Sequence, residues 1–116
     1  MNIDELFMNL IAGRLPEKPP DLPPALYKEM LIDAILIHRA RMQKEEEDLF
    51  NDEGFLNLLN QLVEDERLDA DTYLLDGLPE EIELHKRRIS NARFLMEACE
   101  SRILDLLEEH PELNDE

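Results

Sequence analysis

Cysteine is almost missing from this chain. Cys99 stands alone, so no disulfide can close within it, and a reducing, cytoplasmic setting is expected. Tryptophan is absent, and Val63 and Thr72 are the only residues of their kinds. Glycine occurs only at Gly13, Gly54 and Gly77, too seldom to turn the many short strands of a sandwich or barrel. No apolar run approaches the roughly 18 residues of a membrane span, so no membrane association is expected. The opening Met1-Asn2-Ile3-Asp4-Glu5 is acidic where a secretory signal would be basic. Basic residues are scarce as well: 12 Lys and Arg face 29 Asp and Glu, a net charge of −17. Nucleic-acid affinity comes largely from Lys and Arg neutralising phosphates, so direct binding to nucleic acid is not expected.

The residues that are present select one fold class. Leucine (22) and glutamate (18) dominate, and both lose little rotamer freedom in a helix. At 116 residues and 43% apolar content the chain can bury roughly two thirds of its unfolded surface. The expectation is all-α: a small helical bundle built around a long antiparallel hairpin, with a short N-terminal helix joined by a proline-rich strap. Residues 1–116 form a single helical domain in this reading, divided into an amphipathic helix (1–14), the strap (15–24), a helical core (25–110) and an acidic tail (111–116).

Local signals place the elements. Asn2 is an N-cap for a helix whose Ile3, Leu6, Phe7, Leu10 and Ile11 recur at helical spacing, and Gly13 is its stop. Residues 15–24 hold five of the seven prolines, which fixes an extended strap. A second helix is expected from Pro24 or Ala25 to about Phe50, apolar nearly all round at 30–37. Asn51 or Asp52 is expected to cap a third helix, striped by Phe55, Leu58, Leu59 and Leu62. An irregular acidic connection should follow over 64–77, with a short helical turn at 73–75. Pro79 suits the first turn of a fourth helix running to Pro111. In that helix Ile82, Ile89, Met96 and Ile103, with Ala92, Cys99 and Leu106 at the complementary positions, form a near-heptad seam. The second helix of the same chain is one partner for the seam. A second copy is the other, and the amount of apolar surface leans toward a homodimer.

Charge is unevenly spread. Residues 45–83 carry fifteen acids against Arg67 alone, whereas residues 1–44 are balanced at six and six. Concentrating like charge costs self-repulsion and creates a strong local field, which suits docking of a basic surface. Sites for chemistry are sparse beside this. His38, His85 and His110 are far apart in sequence, and no Glu stands three residues before any of them, so no metal is expected. His85 is expected to pair with Glu81, and Glu83 with Arg87. Asp69-Ala70-Asp71 opens like a calcium loop, but Tyr73 and Leu74 stand where a further oxygen ligand and the turn glycine belong. Cys99 occupies a seam position and reads as a small buried hydrophobe, and no phosphate-binding glycine loop or nucleophile elbow occurs. No catalytic residue and no cofactor follow.

The functional expectation is a non-enzymatic protein-interaction module: a regulator, inhibitor, chaperone or assembly factor. Its contact residues are expected to be Glu45, Glu46, Glu47, Asp48, Asp65, Glu66, Asp69 and Asp71 on the acidic edge, with Phe7 and Leu10 on the N-terminal helix. The expected partner is a protein with a basic surface. The alternative is a DNA mimic that occupies such a partner's nucleic-acid-binding surface.

Overall fold

A computed structural model describes residues 2–69 and 73–115. They form helix α1 (Ile3–Ile11), helix α2 (Pro24–Glu64), helix α3 (Tyr73–Glu109) and a closing 3₁₀ turn (Pro111–Asp115), with no strand among the described residues. None of the helices is long and apolar enough to cross a membrane, among the described residues. The all-helical expectation holds, and the long pair α2 and α3 pack on one another.

Two boundaries differ from the sequence expectation. The helices expected to meet at residues 50–52 are one, because no proline or exposed β-branched run interrupts 25–64 and Asp52 faces α3 instead of capping. Helix α3 begins at Tyr73, six residues before Pro79. Burial of Leu78 holds the turn that Pro79, lacking an N–H for the Leu75 carbonyl, cannot itself bond.

Packing divides the chain into two compact units: residues 1–40 with 92–116, and residues 41–91. The first unit is closed by α1. Asn2 caps that helix by accepting the Glu5 amide at 2.7 Å, and a Schellman turn ends it, with Gly13 N–H on Leu10 O and Arg14 N–H on Asn9 O. Gly13 has φ +90°, and a Cβ there would lie 3.1 Å from the Leu95 side chain, so only glycine suits the turn. Leu6 and Leu10 drop into a core with Tyr27, Met30, Leu31, Ala34, Cys99 and Leu106. His38, also buried, donates Nε2–H to the Leu10 carbonyl at 3.1 Å. Burial pushes the Cys99 thiol pKa up, in keeping with an inert core residue.

The strap has few amide donors, so side chains hold it by its carbonyls. The Tyr27 hydroxyl donates to Pro16 O at 3.1 Å, while Arg102 reaches Pro16 O and Leu15 O at 3.3 and 3.4 Å. Lys18 bonds the carbonyls of Pro19 and Leu22.

The second unit is a helix–loop–helix hairpin of α2 from residue 41 and α3 to residue 91. Leu59, Leu78, Ile82 and Ile89 are its buried apolar residues among those described. Glu66 at the turn adopts φ +60°, within a second Schellman pattern made by the Glu66 and Arg67 amides on Val63 O and Leu62 O. Within this unit α2 and α3 of the same chain pack on one another.

Candidate functional site

In the second unit part of the helix interface is polar. Glu45, Asp48 and Asp52 lie at i, i+3 and i+7 of α2, which places them on one helical face. Opposite, on α3, stand Glu81, His85 and Arg88. Glu45 meets His85 and Arg88, while Asp52 meets His85, as antiparallel packing requires.

His85 is buried and bracketed. Its Nδ1–H donates to Glu45 Oε2 at 2.5 Å and its Nε2–H to Asp52 Oδ2 at 3.1 Å. Arg88 approaches the other Glu45 oxygen at 3.5 Å. The hydrogen bond to Glu45 is the main cause that raises the His85 pKa above its ordinary value. Burial opposes the rise, and the negative charges of Glu45, Asp52 and Asp48 add to it. The arrangement thus favours an imidazolium shared between two carboxylates. Its chemistry is also that of a ligand set: Asp52, Glu81 and His85, or Glu45, Asp48 and His85, each offer three donor atoms within 4.8 Å of one another.

The residues singled out from sequence fall into distinct places. Glu45 and Asp48 face the seam, where Asp48 also pairs with Lys44 at 3.6 Å, while Glu46 and Glu47 point to solvent. Asp65, Glu66 and Asp69 are exposed at the end of α2 and in the connection, and Asp71 lies outside the described residues. Phe7 is half-buried and Leu10 fully buried in the core of the first unit, so α1 lies folded on its own chain. Two expected pairs are replaced. His85 turns to Glu45 and Asp52 because carboxylates across the seam meet both ring nitrogens, and Glu83 pairs with Lys86 at 3.6 Å.

Sequence spacing could not find the His85 cluster, because its α2 and α3 members are 33 and 40 residues apart. The one available signal was the Glu81–His85 spacing of a single turn. A groove of about 690 Å³ in the first unit, between the start of α1 and the strap, is lined by residues including Asp4, Leu6, Asp21 and Leu26. It has no base, histidine or cysteine in its wall. No protein-family model matches the chain, and no curated protein or solved structure matches it.

Proposed function

We propose that the protein is a non-enzymatic interaction module whose 41–91 unit engages a partner with a basic surface. One observation carries the reading: the end of this hairpin presents exposed Glu64, Asp65, Glu66, Asp76, Glu80 and Glu83, and Arg67 is the only base between residues 45 and 83. On α2 beside this end, Phe55 and Leu58 keep 43% and 51% of their surface exposed, three residues apart on one face. Exposed apolar side chains and carboxylates on one unit suit a basic, amphipathic partner segment.

The test begins with a partner captured from host lysate and then measured in purified form. Replacing Glu64, Glu66, Glu80 and Glu83 together by Lys should slow association by about tenfold or more at low salt and flatten its salt dependence. The far-ultraviolet circular dichroism should stay helical. An unchanged rate and salt slope would remove the acidic end as a contact surface. Displacement by duplex DNA would identify the partner's surface as a nucleic-acid site, making the protein an inhibitor that mimics DNA.

A further inference from the structure

The His85 cluster has the make-up of a metal centre. It is more than a patch of acids: the imidazole is over nine-tenths buried, and both of its nitrogens are committed in direction. A metal-ligating histidine commonly gives its second N–H to a carboxylate, which fixes the tautomer and the ring plane. Glu45 stands in that relation to Nδ1, and Arg88 holds the far oxygen of Glu45. Nε2 is then the nitrogen left to face an ion, toward Asp52 and the nearby Glu81.

We propose that Asp52, Glu81 and His85 bind one divalent transition ion through one oxygen of each carboxylate and through Nε2, with Glu45 as the positioning residue for the ring. Distances choose this side of the imidazole. Ligands at about 2.0–2.2 Å from a tetrahedral ion lie about 3.4 Å from each other. The 3.1 Å between Nε2 and Asp52 is close to that, whereas the 2.5 Å between Nδ1 and Glu45 is a hydrogen bond with no room for an ion. Glu81 is exposed, and rotation of its side chain supplies the remaining adjustment. The ion takes the place of the Nε2 proton, which leaves to solvent, and its two positive charges match the two carboxylates. One nitrogen and two oxygens form a borderline donor set of the kind zinc accepts, and water fills the fourth position.

The experiment titrates chelator-treated full-length protein with Zn²⁺ alone as the probe, in excess Mg²⁺ to occupy diffuse acidic sites. Calorimetry should give one ion per chain, and side-chain nitrogen resonances of His85 should show Nε2 metallated and Nδ1 still protonated. Asp52→Asn and Glu81→Gln should each weaken binding by about tenfold or more, and Glu45→Gln by roughly 10–100-fold. Glu46→Gln, on the solvent face, should bind as the wild type does. Because Glu81 is exposed, its variant keeps the fold, which circular dichroism checks. Absence of saturable binding, metallation at Nδ1, or wild-type affinity in Glu81→Gln would each overturn the proposal.

Discussion

The two units draw on the same two long helices and solve the burial problem differently. In the first, α1 covers the pair, and Leu6, Leu10, Tyr27, Leu31 and Cys99 are almost wholly removed from water. In the second, no third helix is present among the described residues, the seam includes Glu45, Asp48, Asp52 and His85, and Phe50 keeps 78% of its surface exposed. A third helix lets apolar side chains be enclosed from more than one direction. A bare helix pair encloses a single row, and here polar groups share that row because they answer each other's charge. Density of apolar contact thus separates the two units.

The largest effect expected from this contrast lies in the first unit. Leu10→Ala removes a side chain with no exposed surface and should lower unfolding stability by about 2–5 kcal/mol in chemical denaturation. A loss below about 1 kcal/mol would mean that α1 is only loosely docked. Next, native-state hydrogen exchange should find amides of 41–91 opening at lower free energy than those of Leu31 and Ala34. Equal protection in both units would erase the contrast.

The polar seam should show itself through pH. The raised His85 pKa means that its pairing contributes stability fully below about 6.5, and that this contribution is lost as pH rises through the folded-state value. Glu45, Asp48 and Asp52 from α2, with Glu81 and Arg88 on α3, are the charged groups around the ring. In chelator-treated protein, the stability gap between wild type and His85→Gln should therefore be wider at pH 6 than at pH 9. A gap that grows with pH would reverse the assignment.

The smallest effect is a gain. Gly54 lies inside α2, and a Cβ there would meet nothing within 4 Å. Gly54→Ala should stabilise by about 0.5–1 kcal/mol, read as a higher melting temperature. A loss of stability would show that the helix is not continuous through residue 54.

Much of this was legible in the residue order. The Asn2 cap, the Gly13 stop and the seam positions Ile82, Ile89, Ala92, Cys99 and Leu106 are set by local or periodic rules and stand where those rules place them, whereas the strap, expected to be extended, turns at residues 20–21 with the Leu22 amide on Pro19 O. The misses share a cause. Asp52 reads as a cap by propensity and Pro79 as a first-turn residue, yet cross-helix partners and burial of Leu78 outweigh both preferences. The bracketing of His85 was invisible for the same reason. It depends on the register of two helices, which no short spacing encodes.

The first unit is discontinuous along the chain, and that has a consequence for the order of assembly. During synthesis from the N-terminus, residues 41–91 can complete their hairpin as soon as they emerge. The earlier-made α1 and strap are only partly held until then, because Arg102, which clasps the Leu15 and Pro16 carbonyls, is made last of all the strap's holders. A nascent chain halted after residue 91 would accordingly hold Leu6 and Leu10 against Tyr27, Met30, Leu31 and Ala34 alone, without Cys99, Leu106 and Leu113, and a protease should cut α1 there more readily than once residues 92–116 have been made.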